Sequence, residues 1–282
     1  MADPDGARAP AAAGGSACDG GGMSEMLRLP GRDLEVELLR EGSGPPLLYL
    51  HGSFGPEWSR PLVAALARNH SVVMPSLPGY GASGGLDGME YFYDVAVWLD
   101  EVVGELGLSP VAIAGHDFGG TVAAEYACLF RQRVARLALL APLGLWVDAH
   151  PMPDFFGLTP GALTRVLFAD AGSPAAAAFN EQHPDKQRQQ DAILRRRQAL
   201  IAAAQLLWPI PDKGLAKRLY RLQAPTLLLW GDADPLLGPP YVEAFRQAIP
   251  GAVLQKVAGG HMIPQEAPDA AAAAISAFLK MN

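Results

Sequence analysis

The chain has 282 residues, half of them apolar and under a fifth charged, with a net charge of −7. That length suits one large domain with a sizeable core. The acidic balance leaves no basic surface for nucleic acid or an anionic membrane, and no apolar run approaches a transmembrane span. The two cysteines, Cys18 and Cys128, imply no disulfide framework.

Residues 1–22 are mostly Ala, Gly, Pro and Asp with almost nothing large and apolar. They lack the basic start and apolar run of a signal peptide, so they read as a disordered leader that cannot repay its ordering entropy. On that reading Met23 could be the start of translation, and the expected compartment is the cytoplasm. Between 27 and 39 apolar residues alternate loosely, and Glu41-Gly42-Ser43-Gly44-Pro45-Pro46 signals a turn. Residues 47–50 are a continuous apolar strand running into His51-Gly52-Ser53-Phe54-Gly55-Pro56. Such a run suits a buried parallel strand with its glycine-rich end at the carboxyl edge of a sheet.

The spacing predicts a helix over 61–68 and a strand over 72–74 that ends in Leu77-Pro78-Gly79-Tyr80-Gly81. A helix over 91–106, a strand over 111–114, a helix over 121–130 and a strand over 137–140 follow. The alternation then stops. From 147 to 222 the chain is rich in Pro, Ala, Arg and Gln, with helical stretches and no convincing strand. Such an insertion would sit over the strand ends as a cap. Alternation resumes with a strand over 225–230, a helix over 240–248, a weak strand over 252–257 and a helix over 270–279. Strands separated by helices imply a mostly parallel central sheet flanked by helices. The expected division is a leader (1–22), a core (23–146 and 223–282) and a helical cap (147–222) inserted after strand 6.

The chemistry gathers at Gly115-His116-Asp117-Phe118-Gly119. Two glycines bracket Asp117 at the spacing of a nucleophile elbow, a strained strand-to-helix turn that projects one side chain above a sheet. Two further groups follow predicted strands: Gly231-Asp232-Ala233-Asp234-Pro235 and Gly259-Gly260-His261-Met262. The order is therefore carboxylate, acid, histidine, each just beyond a strand.

With these motifs the chain from about residue 27 onward resembles the α/β-hydrolase fold, and aspartate at the elbow resembles epoxide hydrolases and haloalkane dehalogenases. The resemblance implies that Asp117 attacks carbon, that His261 is the general base for hydrolysis of the resulting ester, and that Asp234 orients His261. His51-Gly52 matches the oxyanion loop, so Ser53, Phe54 and Phe118 would lend backbone N–H groups. The chain departs from the epoxide hydrolase pattern in that loop, His-Gly-Ser-Phe-Gly where His-Gly-x-Pro is usual. The loop and the region around Arg218-Leu219-Tyr220-Arg221 look more like serine esterases and carbon–carbon bond hydrolases. The family's pair of cap tyrosines is not evident. Phe118 cannot donate the indole N–H that holds halide in many haloalkane dehalogenases, and no arginine of the fluoroacetate type follows Asp117.

Each residue has a plainer reading. Asp117 could belong to an inactive elbow, Ser53 could be a turn residue, and His261 a core histidine. Asp234 competes with Asp232 as a helix cap and with Asp148 beyond the strand at 137–140; spacing favours Asp234. His116 reads as a packing or orienting residue. Trp146, Phe155, Phe156, Phe168 and Trp208 would line the cap as core or pocket wall. The six histidines show no metal-ligand spacing, and no cofactor is expected. For an epoxide, a cap donor must meet the departing oxygen; Tyr220 comes first, then His183 or His150. The expected function is an epoxide hydrolase acting on an apolar small molecule. The alternatives are an ester or carbon–carbon hydrolase in which Asp117 orients water, or a non-catalytic ligand-binding relative.

Overall fold

A computed structural model describes residues 22–180, 184–210 and 212–281. The expected leader, Gly22 apart, and His183 lie outside these described residues.

Eight strands form one sheet: β1 (Met23–Leu29), β2 (Leu34–Glu41), β3 (Pro46–Leu50), β4 (Ser71–Pro75), β5 (Val111–His116), β6 (Val134–Leu140), β7 (Thr226–Gly231) and β8 (Val253–Val257), in the order β1-β2-β4-β3-β5-β6-β7-β8. β1 pairs antiparallel with β2, and β2 antiparallel with β4; every other neighbour is parallel. The stretch that alternates loosely between 27 and 39 is two strands of a hairpin. The chain reverses at Pro30-Gly31-Arg32-Asp33, where Asp33 takes a positive φ of 51°. In β3, β5 and β7 nearly every side chain is buried, because helices cover both faces.

The helices joining the strands are α1 (Arg60–Leu66), α2 (Phe92–Glu105) and α3 (Asp117–Leu129). Between β6 and β7 lie α4 (Pro160–Leu167), α5 (Pro174–Asn180) and α6 (Lys186–Leu207); α7 (Pro239–Ala248), α8 (Ile263–Glu266) and α9 (Pro268–Leu279) complete the chain. α3 starts four residues earlier than the apolar spacing predicts, at the elbow itself. The helical stretch expected over 215–222 is two 3₁₀ turns, Leu215–Lys217 and Leu219–Arg221.

The α4–α6 segment is tied to the loops at the carboxyl ends of the strands. The N–H groups of His261 and Met262 both donate to Leu167 O, at the end of α4, at 2.8 and 3.1 Å. The Gln205 side chain in α6 donates to the carbonyls of Leu86 and Met89. Among the described residues no helix is long and apolar enough to cross a membrane.

Candidate active site

β5 runs straight into α3 with no connecting loop, and the backbone can do so only through glycine. A Cβ on Gly119 would lie 2.4 Å from the carbonyl oxygens of Leu50 and His51; one on Gly115 would lie 2.5 Å from Gly119 O. The chain turns at Asp117, whose φ is +53°, a conformation that costs most side chains free energy and that aspartate tolerates better than most. The turn leaves the Asp117 carboxylate at the first residue of α3, where the helix N-terminus favours negative charge. It is almost fully buried.

Two loops meet it from β7 and β8, farther along the same sheet. Beyond β8, His261 Nε2 lies 3.3 Å from Asp117 Oδ1, and its Nδ1 donates to Asp234 Oδ2 at 3.0 Å. Beyond β7, Asp234 Oδ1 accepts from the N–H groups of Leu236 and Leu237, both at 2.9 Å, so the acid is fixed before it orients the ring. The structure thus brings Asp117, His261 and Asp234 together from 144 and 27 residues apart. Neither competitor is at the imidazole: Asp232 is exposed and accepts from Gly259 N–H, and Asp148 is exposed and accepts from Trp146 Nε1.

Charge follows from this geometry. Burial alone would drive His261 neutral, but the Asp234 and Asp117 carboxylates together outweigh it and hold its pKa well above the ordinary imidazole value. Burial likewise works against an ionised Asp117, yet the hydrogen bond and charge of His261, with smaller help from His116 and Ser53, bring its pKa below the usual carboxylate range. The geometry thus favours a proton on the His261 ring, held between the two acidic side chains. His116 donates from Nε2 to His261 O at 2.8 Å. Burial and the His261 charge push its own pKa down to about 4, so it stays neutral and orients the backbone of its neighbour.

From the end of β3 comes the loop His51–Gly55. Ser53 N–H donates to Asp117 Oδ2 at 2.7 Å, and the Tyr80 hydroxyl donates to Ser53 O at 3.2 Å. His51 ties this loop to the end of β4: its Nε2 accepts from Leu77 N–H at 3.0 Å, and its Nδ1 donates to Gly52 O. Burial lowers its pKa to about 4. Phe54 and Phe118 are buried beside Ser53 and Asp117. The Phe54 ring meets Phe155 and Phe179, and the Phe118 ring meets Tyr80 and Phe92. Phe168 also packs on Phe179, so α5 supplies the hub of the aromatic wall. A cavity of about 580 Å³ opens beside Tyr80 and Gly55, under Ala199 of α6.

Two residues here escaped the sequence reading. Tyr80 stands in a glycine-rich strand end, a signal of the same kind that marked Ser53. Phe179 closes an Ala-rich helical run, where one aromatic can only be packing against something. Conversely, Tyr220 is a correction: it is 79% exposed and lines a shallow cleft with Pro225, Thr226 and Ala252, at the amino ends of β7 and β8. The reason is that Arg218 grips Glu125 of α3 and Arg221 donates to Cys128 O, which turns the tyrosine between them outward, on the sheet edge opposite Asp117. His150 is exposed as well.

An eight-stranded, mostly parallel sheet with such a centre at its carboxyl edge defines a class, the hydrolases of the α/β fold. The chain belongs to the alpha/beta hydrolase fold family, whose model matches residues 45–268. It is 31% identical over 279 residues to polyketide synthase ThaQ of Burkholderia thailandensis, covering 92% of this chain but only 13% of that protein. It is 29% identical over 267 residues to haloalkane dehalogenase 2 of Mycobacterium tuberculosis, covering 85% of this chain and 90% of that one. A bacterial membrane phospholipase A has the same fold, with a TM-score of 0.76 at 24% identity over 92% of this chain and 86% of the other.

Proposed function

We propose that the protein is a hydrolase that forms an alkyl ester on Asp117, and that its substrate is an apolar small molecule bearing an epoxide. The observation that carries this reading is the partner of the Ser53 N–H. In an ester hydrolase that uses Asp117 only to orient water, this donor would have to be free for the substrate's carbonyl oxygen. Here it is committed at 2.7 Å to the carboxylate's own Oδ2. Once Asp117 is alkylated through Oδ1, Oδ2 becomes the ester carbonyl oxygen, and the same N–H stabilises the oxyanion formed when water attacks it.

The charges fit the two steps. The first needs an ionised carboxylate, and its lowered pKa supplies one. Alkylation then removes one of the two negative charges that hold the proton on His261, so the ring becomes a competent base when the second step needs it. Attack by carboxylate suits a strained sp³ carbon; on an ordinary ester it would give an anhydride. Similarity to a haloalkane dehalogenase agrees with attack at sp³ carbon, whereas Phe118 offers no side-chain donor for a halide. On this reading the 147–222 segment is the cap and its aromatic wall faces the substrate.

The test is one turnover in heavy-oxygen water. The product oxygen comes from Asp117, so product should be unlabelled and the label should appear in the peptide containing Asp117. Label entering product directly would mean attack by water, with Asp117 as base or orienting group.

A further inference from the structure

Ring opening puts charge on the epoxide oxygen, and neither Tyr220 nor His150 reaches Asp117 to receive it. Ser53 carries a group that can. The residue is fully buried, its N–H is held by Asp117 and its carbonyl by Tyr80. Its Oγ, by contrast, is buried and makes no well-aligned hydrogen bond among the described residues, although it lies near enough to the Asp117 carboxylate to help hold its charge. An unpaired buried hydroxyl destabilises a fold, so a position needing only a turn residue would be better served by alanine. A serine Oγ sits roughly 3 Å from its own nitrogen, which places this one within about 6 Å of Asp117 Oδ2.

We propose that the Ser53 hydroxyl donates to the departing oxygen during alkylation, and so makes the site selective for substrates whose leaving group is a basic oxygen. This rests on the Asp117 ester reading. As the carboxylate Oδ1–carbon bond forms, the ring C–O bond breaks and its electron pair stays on the oxygen. That oxygen accepts the Ser53 hydrogen bond and is protonated through it; a water restores the serine proton, and the hydroxide so formed takes the proton that His261 gives up, which leaves the ring neutral for the second step. A cap tyrosine is then unnecessary, which accounts for the exposed position of Tyr220.

The experiment uses the His261→Gln protein, in which ester hydrolysis stalls and the adduct accumulates. The mass of the Asp117 peptide is followed after mixing with styrene oxide or with 2-phenylethyl bromide. Both give an alkyl ester, but bromide departs as a weak base with little need of a donor. Adding Ser53→Ala should slow labelling by the epoxide about a hundredfold, a typical loss for one donor to a developing oxyanion, and labelling by the bromide less than about threefold. Equal slowing of both would mean that the side chain only holds the loop, and no slowing of either would show it idle; each overturns the proposal. Selective loss in Tyr80→Phe instead would transfer the role to Tyr80, and labelling by the bromide alone would remove the epoxide. If neither reagent labels Asp117, the ester reading itself falls.

Discussion

Asp234→Asn isolates the part of the mechanism that depends on proton position. In the native site His261 Nδ1 donates to Asp234 Oδ2, leaving Nε2 toward Asp117. An asparagine can keep its oxygen on the Leu236 and Leu237 N–H groups, which anchor Oδ1, so the loop and the fold should persist. Its NH₂ then faces the imidazole, which must accept at Nδ1 and carry its proton on Nε2. In that tautomer the nitrogen facing the ester cannot take a proton from water. The expected loss of turnover is about three to four orders of magnitude, a barrier increase of about 4 to 5 kcal/mol. Because the first step makes no use of His261 as a base, alkylation should survive. Rapid quench with mass spectrometry should show one equivalent of adduct formed and then stalled, in a protein that still unfolds cooperatively. Full turnover in Asp234→Asn, or the same stall in Asp148→Asn, would refute the assignment of the acid.

Three further outcomes follow from distances and charges. The folded-state pKa of His261 is raised, so its ion pairs stabilise the native state fully below the imidazole value of about 6.5 and lose that contribution as pH climbs through the raised one. Melting temperature should therefore fall more steeply on the alkaline side in the native protein than in His261→Gln, and parallel curves would contradict the charge state. Arg218→Ala strands Glu125, whose side chain is 0% exposed, without its guanidinium; urea denaturation should show a loss of about 3 to 5 kcal/mol, and a neutral result would mean water reaches that carboxylate. Gly119→Ala sets a Cβ 2.4 Å from two carbonyl oxygens and should cost at least about 3 kcal/mol or prevent folding; a soluble variant of native stability would show that the elbow can open.

How far the sequence carried depends on whether each feature is local. β3, β5 and β7 were legible because a strand buried on both faces must be a continuous apolar run. β8 was faint for the opposite reason: it is an edge strand with four of its five residues exposed, so little in it needs to be apolar. The hairpin of β1 and β2 blurred into one alternating stretch because half-exposed strands tolerate polar residues on either side of their turn. The elbow was legible from spacing alone, since only glycine fits where Leu50 and Gly119 approach. Tyr220 misled because Leu215 and Leu219 report which side of their segment is buried and say nothing about which end of the sheet it covers. That was decided by Arg218 and Glu125, 93 residues apart.

The partner of the Ser53 N–H was illegible for a different reason, since a peptide group is the same whatever side chain it bears. The loop His51-Gly52-Ser53-Phe54-Gly55 looks like that of an esterase, and above a serine elbow its N–H would face the substrate's oxygen. With aspartate at 117 the side chain is one atom longer and ends in two oxygens. One of them reaches the imidazole while the other reaches the loop. On the proposed reading the oxyanion donor is thereby handed to an ester formed on Asp117, and the substrate must bring a carbon that carboxylate can attack. If Asp117 is the nucleophile, one residue at the elbow alters what an esterase-like loop can stabilise, and residue 117 decides the substrate class more than the sequence around it does.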